Sequence, residues 1–129
     1  MREMSRRGVM AAGAAAVAAA ALPVWAAQGG YRLLVENNVD ILCVGRLASA
    51  RFGPPASTAT LSSALLREPA ALATVADSME GGRVIVVASP AIVTALGALA
   101  RGARRSAPRL AEDIRRVLPA DRVEVAIFS

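Results

Sequence analysis

Two polar residues, Ser89 and Arg46, follow apolar runs in a way that could build a binding site for an anion. Ser89 ends the run RVIVVAS and precedes Pro90, so it is a candidate N-cap for a helix that begins at that proline. Arg46 follows the apolar run over residues 39–45. In open α/β sheets the helices begin at the carboxyl ends of the strands, so their free N–H groups lie at that edge. We therefore expect an anion to bind beside Ser89 at the helix start, with Arg46 on the other side of the anion. The simpler alternative is that Ser89 only caps its helix and Arg46 is solvated.

The clearest charge cluster in the sequence consists of arginines. Six of them fall between residues 101 and 116: Arg101, Arg104, Arg105, Arg109, Arg115 and Arg116. The planar guanidinium suits bidentate contacts with carboxylates, so this segment is predicted to meet an acidic partner or anionic lipid head groups. The alternative is a solvated helix face that Glu112 and Asp113 partly neutralise. No aromatic residue lies among these arginines, so the sequence does not support stacking on single-stranded nucleic acid.

The chain has no histidine and a single cysteine, Cys43. The common ligand sets for zinc, copper, haem and iron–sulfur clusters therefore cannot be assembled within it. A Ser–His–Asp or Cys–His nucleophile is excluded for the same reason. Cys43 is predicted to be a buried, inert thiol within a strand, with a reactive or partner-linked thiol as the alternative. We predict no catalytic residue, no metal site and no cofactor, and rank a histidine-free hydrolase third among the functions.

The hydrophobic pattern predicts the elements that would position these residues. Apolar runs predict strands at 31–35, 39–45, 83–89 and 122–128. Residues 46–60, which contain Gly53-Pro54-Pro55, are predicted to be a loop. Helical spacing begins at Leu61 and continues to Met79, and Pro69 either kinks this helix or opens a second one.

Two further helices complete the pattern. The first begins at Pro90 and is predicted to line one face with Ile92, Leu96, Leu99 and Ala103. The second covers 108–118 and is predicted to bury Leu110, Ile114, Val117 and Leu118, with Glu112 and Arg116 four residues apart outside. Because helices separate most strands, we expect parallel neighbours. The prediction is a small α/β sandwich of about four mostly parallel strands and three helices.

The first 26 residues have the three parts of an export signal. MREMSRR carries three arginines, residues 8–22 are uncharged, and Val24 and Ala26 fit a cleavage site. The uncharged stretch is shorter than the ~20 residues that a membrane-spanning helix needs, so no stable membrane span is predicted. Cleavage after Ala26 would leave one domain over residues 27–129.

The stretch SRRGVM, residues 5–10, resembles the leader pattern of proteins exported by the twin-arginine (Tat) machinery, S-R-R-x-F-L-K. Ser5, Arg6 and Arg7 match in place, while apolar residues replace the Phe and Leu positions. The resemblance covers the leader alone. It implies export of a folded protein to the bacterial periplasm, with an ordinary secretory leader or a retained Ala-rich N-terminus as alternatives.

Without residues 1–26 the chain has twelve arginines and nine acids, so the predicted mature domain is only mildly basic and nucleic-acid binding is not expected. The leading hypothesis is an exported, non-catalytic accessory protein that binds a second exported protein through the arginine segment, with the partner contacts at Arg101, Arg104, Arg105 and Arg109. The alternative is a small anion- or solute-binding module, or a remnant of a larger exported binding protein or enzyme, that uses the strand ends near Ser89.

Overall fold

The computed structural model describes residues 30–118 and 123–129, so the predicted leader lies outside the described residues. Within those two segments the chain forms five strands, four α-helices and one 3₁₀ turn at Leu65–Arg67. The predicted α/β class is confirmed, but the structure has one more strand and one more helix than expected. In chain order the elements are β1 (Tyr31–Glu36), α1 (Ile41–Phe52), β2 (Ser57–Leu61), α2 (Pro69–Ser78), β3 (Arg83–Ala88), α3 (Pro90–Leu99), β4 (Arg104–Ser106), α4 (Pro108–Val117) and β5 (Glu124–Phe128).

The strands form one mixed sheet in the order β2-β1-β3-β5-β4. β1 pairs in parallel with both β2 and β3. β5 pairs antiparallel with both β3 and β4. Four strands therefore run in one direction, as expected, and β5 runs against them. Because β5 has two neighbours, two of the four strand pairs are antiparallel, which was not expected.

Helices cover both faces of this sheet. Buried residues of α1 and α4, such as Val44 and Ile114, pack on one face against Leu33 and Ile85, and we call this the α1/α4 face. Buried residues of α2 and α3 pack on the opposite α2/α3 face. The run Val84-Ile85-Val86-Val87 in β3 is fully buried because it has helices on both sides, as its unbroken apolar pattern predicts.

The winding of the chain reverses between β1 and β3. From β1 the chain moves outward to β2 through α1, and from β2 it returns across β1 to β3 through α2 on the opposite face. The helices that follow β1 and β3 thus lie on opposite faces of the sheet. In doubly wound sheets the carboxyl ends of such a strand pair border a crevice in which ligands bind.

The strand predicted over residues 39–45 is wrong. Asp40 caps a helix there, since its Oδ1 accepts hydrogen bonds from the backbone N–H groups of Leu42 and Cys43 at 3.0 and 3.2 Å. Behind this cap, Cys43, Val44 and Ala48 are buried at helical spacing along α1. A short apolar run such as ILCV fits a buried helix as well as a strand, and the N-cap decides between them.

The loop predicted over residues 46–60 is also wrong at both ends. α1 continues to Phe52, and the chain pairs with β1 from Ser57 onward as β2. Leu61 accordingly ends a strand instead of starting a helix. Pro69 opens α2, which confirms the second of the two predicted roles for this proline.

In the second half of the chain the predictions differ from the structure at the ends of elements. α3 ends at Leu99, which is half-exposed, so Ala103 does not belong to its buried face. α4 buries Leu110 and Ile114 as predicted, but Val117 is 56% exposed. The short strand β4 was not predicted. None of the helices in the described segments is both long enough and apolar enough to cross a bilayer.

Candidate functional site

Ser89 lies where the sequence places it, at the N-cap of α3 and at the carboxyl end of β3. Its side chain makes no capping hydrogen bond. Instead its backbone N–H donates to Oε1 of Glu36 at 2.8 Å. Glu36 ends the neighbouring strand β1 and is only 5% exposed. A carboxylate of the chain itself therefore takes a backbone donor that an anion at this helix start was expected to use.

Arg46 lies in the second turn of α1 and is exposed. Its expected position opposite Ser89 assumed a strand over residues 39–45, and that strand is absent. Arg46 therefore does not end a strand at the crevice between β1 and β3. A shared anion site of Ser89 and Arg46 stays a prediction.

Two glutamates that the sequence analysis did not single out lie beside Ser89. Glu124 is the register partner of Ala88 in the β3–β5 pair, and Glu36 follows the last β1 residue that pairs with β3, next to the same alanine. Both belong to the α2/α3 face, because they are two residues from Leu34 and Ala126, which pack there. A single acid next to apolar residues was the available signal: Glu36 follows Val35, and Glu124 lies between two valines.

The two glutamates have different surroundings. Glu36 accepts the hydrogen bond from Ser89. Glu124 Oε1 is buried and has no hydrogen-bond partner among the described residues, while its Oε2 lies 4.0 Å from Nη2 of Arg104. Arg104 lies across α3 at Gly97, where an added Cβ would come within 3.0 Å of its Nη1. Because Gly97 has no side chain, Arg104 can lie against α3. Its guanidinium group is there close to the partly desolvated carboxylate of Glu124.

The structure divides the arginine cluster into paired and unpaired members. Arg101 lies 3.5 Å from a carboxylate oxygen of Glu80, and Arg116 lies 3.6 Å from Glu112 in the predicted i,i+4 pair. With Arg104, three of the six arginines have acidic neighbours. The other three are exposed and form no ion pair with any described carboxylate: Arg105, Arg109 and Arg115.

These three residues form what we call the arginine surface, on β4 and α4. Arg105 is the register partner of Ile127, whose side chain packs on the α1/α4 face, so Arg105 belongs to the face that α4 covers. In α4, Asp113 binds Arg51 of α1, which fixes one flank of the helix towards α1. Arg115 is about 200° further around the helix, so it lies on the other flank, towards β4. Arg109 lies away from the buried residues of α4, four residues before Asp113 and about 120° around the helix from Arg115.

The contact between Arg51 and Asp113 joins α1 to α4 through two parallel hydrogen bonds, one of them 3.0 Å long from Nη2 to Oδ1. The hydrogen bond from Arg51 lowers the pKa of the Asp113 carboxyl below its ordinary value. The same hydrogen bond raises the pKa of Arg51. Asp113 is therefore engaged within the fold and leaves the arginine surface with fewer neutralising acids nearby.

Cys43 is buried, as predicted, although it lies on α1 and not on a strand. The described part of the chain holds no group of three or more acids or cysteines that could bind a metal ion. No protein-family model, no curated protein and no solved structure matches this chain.

Proposed function

We propose that the protein is an exported accessory protein that binds an acidic segment of a partner polypeptide through Arg105, Arg109 and Arg115. One observation carries the proposal. These three exposed arginines lie on two consecutive elements and form no ion pair with a carboxylate of the described segments, whereas each of the other three arginines lies within 4.0 Å of one. Guanidinium groups bind carboxylates through two parallel hydrogen bonds, so an acidic polypeptide is the matching ligand.

The position of Arg109 supports a role in binding over a role in stability. It lies in the first turn of α4, which begins at Pro108. A cation near a helix N-terminus faces the positive end of the helix dipole, and this arrangement is unfavourable. Arg115, in the last turn, is favourably placed for the dipole. The helix dipole therefore favours Arg115 but not Arg109.

The leader pattern around Arg6 and Arg7 supports a periplasmic location for this binding. The alternative, a small-anion module at Ser89, has less support, because the carboxylate of Glu36 already accepts the Ser89 N–H and its negative charge opposes a second anion.

The experiment measures binding of a fluorescent peptide of alternating glutamate and glycine by anisotropy at two salt concentrations. The test variant carries Arg105→Glu, Arg109→Glu and Arg115→Glu. The matched control carries Arg46→Glu, Arg67→Glu and Arg83→Glu, which change the net charge equally at other exposed arginines. We expect the test variant to lose at least about tenfold in affinity, equal to ~1.4 kcal/mol, and the control to lose much less.

Equal weakening in both variants would show that the peptide responds only to net charge, and the proposal would fail. Circular dichroism of both variants checks that the exposed substitutions leave the fold intact. In periplasm from the native host, a partner that cross-links to the original chain should be lost from the test variant and kept by the control.

A further inference from the structure

The outer edge of β2 has the properties of a strand that pairs with another strand. β2 is one end of the sheet, and its outer side pairs with no strand in the described segments. Its sequence STATL contains no charged residue and no proline. Edge strands of monomeric proteins are commonly protected by charged side chains, prolines or bulges within the strand. β2 lacks the first two of these protections along its whole length.

We propose that β2 pairs antiparallel with β2 of a second copy of this chain, about a two-fold axis at Ala59. This surface is separate from the arginine surface, and the pairing would join two five-stranded sheets into one. Antiparallel pairing about a central residue is self-complementary, because each copy offers the same five residues in reverse order. Thr58 of one copy then lies opposite Thr60 of the other, and Ser57 lies opposite Leu61.

The side chains of β2 suit this register. Ala59 and Leu61 pack on the α2/α3 face, so Thr58 and Thr60 point to the other face, where both are exposed. Directly opposed threonines on one face form favourable cross-strand pairs. The side chain at the two-fold axis is the small one of Ala59, which lets the two backbones approach.

The segments next to β2 add apolar surface. Phe52 ends α1 shortly before β2 and is 38% exposed, and Leu66 follows β2 in the 3₁₀ turn and is 44% exposed. Antiparallel pairing brings the segment before β2 of one copy beside the segment after β2 of the other. Each copy can therefore bury exposed apolar side chains at both ends of the shared strand pair.

The opposite edge of the sheet explains why the association would stop at two copies. Self-pairing of β4 would place Arg105 of one copy opposite Arg105 of the next, and like charges directly opposite each other are destabilising. Of the two edges of the described sheet, the β2 edge is then the one open to a second copy. A single self-complementary edge gives a closed dimer and not a growing fibre.

The test measures mass by analytical ultracentrifugation from 1 to 200 µM, a range chosen on the order of common dimer dissociation constants. The original chain is expected to shift from one copy to two within this range. The variant T58K/T60K places lysine opposite lysine in the proposed register and should stay monomeric. The matched variant T58K/T60E places lysine opposite glutamate and should still dimerise. All the altered side chains are exposed, so both variants are expected to fold.

A second measurement tests the two-fold axis. Ala59→Cys should form an intermolecular disulfide under mild oxidation, because opposed Cα atoms in an antiparallel pair lie about 5 Å apart. Ser57→Cys should not, because it would lie opposite Leu61.

Three results would overturn the proposal. One is a monomeric original chain at 200 µM. Another is equal dimerisation, or equal loss of it, in the two lysine variants. The third is a monomeric chain in which the β2 amides that point away from β1 are protected from hydrogen exchange at every concentration, since a segment of the same chain would then cover this edge.

Discussion

β2 and β4 end the same sheet on opposite sides, yet they present different chemistry to solvent. β2 has five residues, pairs in parallel with β1 and carries no charge. β4 has three residues, pairs antiparallel with β5 and contains Arg104 and Arg105. The outer edge of β2 offers backbone hydrogen-bonding groups, whereas β4 offers guanidinium side chains. One edge therefore suits another strand and the other edge suits carboxylates.

The same contrast continues in the neighbouring strands β1 and β5, each of which carries a glutamate beside Ala88. On the β2 side, Glu36 is 5% exposed and accepts the hydrogen bond from the backbone N–H of Ser89, at the start of α3. On the β4 side, Glu124 leaves one buried oxygen without a partner in the described segments and lies near Arg104. The β2 side of the sheet thus uses its acid for the fold, while the β4 side has polar groups that its own fold does not fully satisfy.

The largest expected effect comes from removing these two acids one at a time. Glu36→Ala leaves the Ser89 N–H without its acceptor and should lower the free energy of unfolding by about 1–3 kcal/mol. Glu36→Gln keeps a carbonyl acceptor and should recover most of this loss. Glu124→Gln removes a poorly satisfied charge and should change stability by less than about 0.5 kcal/mol. Urea unfolding of the three variants gives the comparison.

If Glu124→Gln were as destabilising as Glu36→Ala, the two sides of the sheet would depend equally on their acids. The contrast between them would then be wrong.

Strong local signals account for the parts of the fold that the sequence predicted. Each of these signals is contained in a stretch of a few residues. They are the apolar run of β3, the Ser89-Pro90 start of α3 and the spacing of Leu110 and Ile114 in α4. The edge strands were missed for the opposite reason. β2 and β4 are held by pairing with β1 and β5, and neither has an apolar pattern of its own.

The candidate site shows the same limit. The sequence identified all six arginines, but only the structure shows which of them have acidic neighbours, because Glu80 and Glu124 are distant in the chain from the arginines that they meet. The hydrogen bond between Glu36 and Ser89 spans 53 residues and could not be predicted from local pattern.

A smaller effect is expected from the glycines inside α1 and α3. An added Cβ at Gly45 meets no atom within 4 Å, so Gly45→Ala should stabilise the protein by about 0.5–1 kcal/mol through helix propensity. At Gly97 the added Cβ would meet Nη1 and Cδ of Arg104 at 3.0 and 3.3 Å, so Gly97→Ala should gain less.

Thermal unfolding of both alanine variants measures the difference, and Gly97→Ala combined with Arg104→Ala should restore the missing gain. An equal gain at both glycines would show that Arg104 is not held at α3.

The smallest effect concerns the contact between Arg51 of α1 and Asp113 of α4. Both helices lie on the same face, and the contact joins the helix next to β2 in the chain to the helix next to β4. Because the pKa of Asp113 is lowered in the folded protein, the stabilising contribution of this contact is present above the unfolded pKa of about 4. It is lost as the pH falls through the lower folded value, when the carboxyl becomes protonated. Since the pair lies at the surface, the effect should be small and weaker in high salt.

Carboxyl NMR should therefore find that Asp113 titrates below its ordinary range, and Arg51→Gln should move the midpoint upward. An unchanged midpoint in Arg51→Gln would mean that another group holds Asp113. The flank of α4 that faces α1, and with it the assignment of Arg115 to the β4 side, would then need revision.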